Sequence, residues 1–130
     1  MSTNIKKIGE WGEGIAAEYL EKNGYTILTR NYHSSQGEID IVAVGPVIRL
    51  SCLVFVEVKT RTSKCYGYPE EAVTRKKWDH MQSAIQSYFE SHLVDQLDWC
   101  VDVIAILGKP DQDNPQIQHY ENVVMDHERN

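Results

Sequence analysis

Three side chains in the middle of the chain have the types and spacing to act on a phosphodiester. They are Asp40 in the segment GEIDIVA, and Glu57 and Lys59 in the segment VFVEVKTR. Two adjacent carboxylates suit a hard divalent cation, Mg²⁺ or Mn²⁺, whose shell is commonly one or two carboxylates completed by water and a substrate phosphate. A lysine beside them can orient or help deprotonate the attacking water and offset the charge on phosphate. The chemistry implied is metal-assisted hydrolysis of a phosphodiester bond.

Two apolar, strand-like runs must position these groups, residues 39–44 and 53–58, joined by a turn that carries Gly45 and Pro46. Side chains alternate faces along a strand, so Glu57, Lys59 and Arg61 share a face with Leu53 and Phe55, while Val54, Val56 and Val58 point away. Glu38 and Asp40 share a face of the first run. Pairing the runs as a hairpin predicts Asp40 beside Glu57 and Lys59. The competing reading is the wet face of an antiparallel sheet, where polar residues alternate as a matter of course. That reading accommodates Leu53 and Phe55 poorly, because a carboxylate among apolar side chains is costly unless it is paired or binds a metal.

Residues 6–23 read as an amphipathic helix, with Ile8, Trp11, Ile15, Ala16, Tyr19 and Leu20 as its buried stripe and Gly24 ending it. Glu13 lies at the edge of that stripe, either as a carboxylate reaching water or as a further acidic contribution to the metal site. Residues 25–31 read as a first strand, antiparallel or edge-lying, followed by a turn at 33–36. Beyond Arg61, Pro69 fits the first turn of a second helix running to about residue 92, with Glu70 and Glu71 favourable at its positive end. Val73, Met81, Ala84, Ile85, Tyr88 and Phe89 are its buried stripe, and Met81 is core filler. The apolar strand at 100–107 is interrupted by Asp102, a structural carboxylate that requires a hydrogen-bonding or ionic partner. A short strand at 117–124 and a loose tail from 126 close the chain.

At 130 residues the chain is expected to be one domain, and its 42% apolar and 25% charged residues are ordinary for a globular protein. A net charge of −6 argues against indiscriminate nucleic-acid binding. The charge is uneven, however: residues 59–77 hold six basic side chains against two acidic ones. Arg75–Lys77 read either as a solvated helix face or, with Arg61 and Lys64, as a basic approach to the site. No apolar stretch suits a secretory signal or approaches the ~20 residues of a membrane span, so a cytoplasmic location without a membrane is expected. The three cysteines are scattered and read as free thiols. The five histidines show no ligand spacing.

The order helix, three strands, helix, strand, with a short strand after it, resembles the PD-(D/E)XK nuclease superfamily once Asp40…Glu57-x-Lys59 is placed on it. More closely, the segments GEWGEGIAAEYLEKNGY, GEIDIVA, VFVEVKTR, YGYPEEAVTRKK and VDVIAILG resemble the bacterial YraN-type family of predicted endonucleases, which is similar to archaeal Holliday-junction resolvases. The resemblance runs from Gly9 to about Val124. It implies an α/β, restriction-endonuclease-like three-layer core, with a mixed central sheet flanked by helices in the order α-β-β-β-α-β.

It further implies Asp40 and Glu57 as ligands of Mg²⁺ or Mn²⁺ and Lys59 as the catalytic lysine. Glu13 matches the acidic residue on the first helix of the resolvase relatives. Lys77 and Arg75 match basic positions at the start of the second helix. The implied activity is a metal-dependent endonuclease acting on DNA in preference to RNA, on branched or otherwise structured DNA, with a homodimer expected because resolvases act on paired strands. Two positions depart from the family pattern. Ser34, Ser35 and Gln36 stand where members often carry a basic residue. Cys100 stands where members often carry an arginine near the Asp of the late strand, so the partner of Asp102 must come from elsewhere. The alternative function is a non-catalytic nucleic-acid-binding or scaffold protein that keeps the acidic cluster and Lys59 as a closed ion network.

Overall fold

Runs rich in Val and Ile make strands because branched side chains pack well on a pleated surface, and two amphipathic helices supply the apolar faces that cover them. The computed structural model describes residues 2–61, 73–92, 98–111 and 113–124. Its elements are α1 (Ser2–Lys22), β1 (Thr26–His33), β2 (Glu38–Val44), a 3₁₀ turn at Val47–Arg49, β3 (Leu53–Arg61), α2 (Arg75–Ser91), β4 (Trp99–Leu107) and β5 (Gln116–Tyr120). The strands form one mixed sheet in the order β1-β2-β3-β4-β5. Among the described residues, only the β3–β4 pair is parallel. Parallel neighbours need a crossover connection, and α2 lies between them in the chain.

Strand alternation divides the core in two. Val54 and Val56 of β3 face α1 and pack with Ala16 and Leu20, while Leu53 and Phe55 face α2 and pack with Trp78, Met81 and Tyr88. The result is a helix–sheet–helix sandwich. Among the described residues, no helix is long and apolar enough to cross a membrane.

Some boundaries differ from the sequence reading. α1 begins at Ser2 and ends as expected around Gly24, with Tyr25 N–H donating to Leu20 C=O and Gly24 N–H to Glu21 C=O. α2 begins at Arg75, because Thr74 Oγ1 accepts the Lys77 N–H at 3.1 Å and caps the first turn. Val73 is buried but precedes the helix. Pro69, Glu70 and Glu71, expected in that first turn, lie outside the described residues, as do Lys64, Cys65 and the tail from 125. β5 stops at Tyr120, short of the expected 124, because the chain then turns inward and Asn122 N–H donates to Asp102 Oδ1 at 3.1 Å.

The turn between β2 and β3 is organised by a charge. Asp102 on β4 is fully buried. Arg49 Nη1 reaches in from the 3₁₀ turn to donate to Asp102 Oδ2 at 2.6 Å and to the Tyr25 hydroxyl at 3.0 Å. His119 Nε2 lies 2.7 Å from the same carboxylate oxygen, with Nδ1 3.0 Å from the Tyr19 hydroxyl. Arg49 is therefore the partner that Cys100 fails to supply, and it arrives from a turn 53 residues away in the chain. Turning Arg49 inward leaves Val47, Ile48 and Leu50 in solvent at 85%, 89% and 83% exposure. Cys52 and Cys100 prove to be neighbours, their sulfurs 3.8 Å apart, and burial beside Asp102 pushes the Cys100 thiol up to about 12.

Arg49→Met should cost about 3–5 kcal/mol in urea unfolding at pH 7, because it strips a buried carboxylate of its main cation. Burial opposes ionisation of Asp102, but hydrogen bonds from His119 and Arg49 hold its carboxyl below the ordinary value of 3.8. A depressed folded pKa contributes stability that is present above the unfolded value and is lost as pH falls through the folded one. The stability gap between the parent and Asp102→Asn should therefore be open at pH 7 and close in acid.

Candidate active site

The site is built where β2 and β3 part. Their ladder ends at Ile41–Val56, although β2 stays paired with β1 to Glu38 and β3 stays paired with β4 to Arg61. Each strand thus keeps its outer neighbour while the pair opens like a fork. Asp40 stands in the crotch, and its Oδ2 accepts the Val58 N–H at 2.8 Å in place of a ladder bond. The expected strict alternation along β2 breaks at this residue. Ile39 packs in the α2-side core with Val42, whereas Ile41 packs on the α1 side. The hairpin continues only as far as its apolar pairs do.

The fork opens into a cleft of about 420 Å³ lined by Glu13, Asp40, Glu57, Lys59, Arg61 and Lys77. The lining draws on α1, both strands and α2. Glu57 is buried, and its Oε1 is held by Lys77 Nζ at 2.6 Å and by Lys59 Nζ at 3.5 Å. Glu13 comes from α1, whose close approach to β3 depends on Gly12: a Cβ there would collide with the Thr60 hydroxyl. Arg75 stays outside the cleft lining, turned to Asp79 at 3.6 Å on the exposed surface of α2.

Electrostatics follow from this crowding. Burial and the neighbouring Glu57 carboxylate push the Asp40 carboxyl up to about 8, against the pull of the Val58 N–H. Burial, with the nearby Lys77 ammonium, lowers the pKa of Lys59. Burial works against the charge on Lys77 too, but Glu57 overcomes it and holds that ammonium above its ordinary value. Among the described residues no three His, Cys, Asp or Glu side chains gather as metal ligands. The cleft therefore offers Asp40 and Glu57 as an all-oxygen pair, with Glu13 on its wall.

Lys77, expected on the approach for nucleic acid, lines the cleft and has Glu57 as its closest partner. Arg49, outside the cleft, escaped the sequence reading: its only signal is a lone charge in the apolar turn GPVIRLS, matched by the lone Asp of an apolar strand.

Because the raised Asp40 pKa means that the fold binds this proton more tightly than the unfolded chain does, the metal-free fold loses stability as pH rises from about 4 to about 8. Asp40→Asn keeps an acceptor for Val58 N–H and removes the charge. In chelator at pH 8.5 this variant should be more stable than the parent by about 1–3 kcal/mol in urea unfolding, and the difference should vanish near pH 4.

Comparison with known proteins places this geometry in a family. The group described as "Uncharacterised protein family UPF0102" matches residues 12–106, a span that contains every residue of the cleft except Ile8 and Gly9 at its rim. A UPF0102 protein of Trichlorobacter lovleyi is 42% identical over 115 residues, 88% of this chain and 87% of that protein. One from Dehalococcoides mccartyi is 35% identical over 125 residues, covering 95% and 98% of the two chains. Another from Herpetosiphon aurantiacus is 32% identical over 130 residues, covering 97% and 100%. The chain belongs to the UPF0102 family, the YraN-type proteins.

Proposed function

We propose that the chain is a divalent-cation-dependent phosphodiester hydrolase of the PD-(D/E)XK type, an endonuclease acting on DNA in preference to RNA. The observation that carries this reading is the forked sheet, which gathers Asp40, Glu57 and Lys59 in one cleft. An α/β sandwich with a five-stranded mixed sheet is compatible with that superfamily.

The donor set fits a hard cation. A buried carboxylate beside a half-buried one carries more negative charge than the fold readily holds, which pushes the Asp40 pKa up, and Lys77 already sits on Glu57 as a positive charge. Asp40 and Glu57 would hold Mg²⁺ or Mn²⁺, leaving its other positions to water and phosphate. When bound, such an ion supplies Lewis-acid polarisation of the phosphodiester.

The remaining work falls to this chain's own side chains. Lys59 has a lowered pKa and so can exchange a proton at Nζ with the attacking water. Lys77 and Arg61 offer charge to the phosphate oxygens as negative charge develops there. Glu13 closes the α1 side of the cleft and orients the incoming water. The non-catalytic reading keeps one specific point in its favour: the 2.6 Å Lys77–Glu57 pair is what a closed ion network would contain.

Calorimetric titration with Mn²⁺ separates the two readings. The parent should bind the ion, and Asp40→Asn and Glu57→Gln should lose both binding and cleavage. A parent that takes up no cation would favour the closed network.

Lys59→Ala should bind Mn²⁺ as the parent does and lose about 10²–10⁴ in cleavage rate, a transition-state effect. The assay is a panel of linear, single-stranded, flap and four-way DNA and RNA with Mg²⁺ or Mn²⁺. Asp40→Asn cleaving as fast as the parent would sink the assignment.

A further inference from the structure

A second cleft, of about 450 Å³, shares Lys77 with the first. Its walls are the turn after β1 and the first turns of α2, through His33, Ser34, Thr74, Lys76 and His80, and Met81 forms a buried apolar floor. The volume lies within the range of about 300–1,000 Å³ typical of small-molecule sites.

The walls are joined by a tight contact. Gly37 lies so close to the His80 carbonyl that a Cβ there would collide with it. The turn is also closed on itself, with Ser34 N–H donating to Gly37 C=O at 2.8 Å and Ser34 Oγ to the same oxygen at 3.1 Å. The acidic wall residue, Glu38, is turned to His33 Nδ1 at 3.2 Å. What remains facing the space is an ammonium, an imidazole, hydroxyls and an apolar floor. That combination suits a nucleotide: a cation for phosphate, an imidazole face for stacking and a thioether under a base or sugar.

We infer that this second cleft holds the nucleotide next to the scissile phosphate, so that the substrate strand crosses Lys77 from one cleft to the other. The inference rests on the nuclease reading of the first cleft and adds a direction to it. Lys77 lines both spaces, so a phosphate it contacts in the first cleft has its neighbouring nucleotide in the second. Lys76 and His80 then contribute to strand binding without touching the reacting atoms, and Ser34 lines the same wall.

The test is fluorescence anisotropy with a labelled oligothymidylate in chelator, which reads binding without cleavage. The Lys76→Ala/His80→Ala double variant should bind about tenfold more weakly than the parent and show a shallower salt dependence. Lys22→Ala, on an exposed residue paired with Glu18 on α1, should bind within about twofold of the parent. Thermal melting and the Mn²⁺ affinity of the double variant should match those of the parent, since neither residue touches Asp40 or Glu57. Parent-like binding by the double variant would overturn the second cleft alone, provided that Lys77→Ala still weakens binding. If the parent binds neither the oligonucleotide nor any branched DNA, this inference and the nuclease reading fall together.

Discussion

The open end of the sheet depends on one hydrogen bond that stands in for a strand ladder. Where β3 leaves β2, the Val58 N–H loses a main-chain acceptor, and a buried donor without a partner costs about 1–3 kcal/mol. The Asp40 carboxylate accepts it at 2.8 Å. That bond lets the strands separate and make a cleft, and it places a carboxyl at the bottom of the opening beside Glu57, where ionisation adds a second negative charge. Structural need and chemical capacity meet in one carboxylate. The same charge is a burden to the folded chain when nothing positive faces it.

A different ion pair holds the far end of the same hairpin. Arg49 crosses from the β2–β3 turn to Asp102 on β4 and ties the turn to the segments around His119 and Asn122. A buried pair of this kind adds little over a well-packed apolar substitute. Its effect here is on shape. To aim Arg49 inward, the turn places Leu50 and Ser51 at φ of 57° and 52°, a left-handed conformation that non-glycine residues rarely adopt. Three aliphatic side chains are turned out to water as a consequence. The hairpin is thus clamped at one end by a guanidinium and open at the other around a carboxylate.

The charge in the cleft comes from all three layers. Glu13 is supplied by α1, Asp40, Glu57, Lys59 and Arg61 by the sheet, and Lys77 by α2. Two ammonium groups flank Glu57 at 3.5 and 2.6 Å in a chain whose net charge is −6, so the local field bears little relation to the sum. Lys77 is the more exposed of the two and Lys59 the more enclosed.

The sequence by itself determined the periodic parts. Stripes at helical spacing gave α1 and most of α2, alternating Val and Ile gave β2, β3 and β4, and parity along β3 put Glu57 and Lys59 on the face that also carries Phe55. These features were legible because period and face are local properties of a chain. One departure is local: α2 starts at Thr74, whose hydroxyl accepts the Lys77 N–H three residues on. The others are long-range, and the fork at Asp40 arises because β2 and β3 each keep a different outer neighbour. The partner of Asp102 came from a turn that looked merely apolar, and Lys77 came from the opposite layer to bond Glu57. Only tertiary structure decided these, because a buried charge takes whichever opposite charge the packed chain brings within about 3 Å, and sequence distance does not enter that choice.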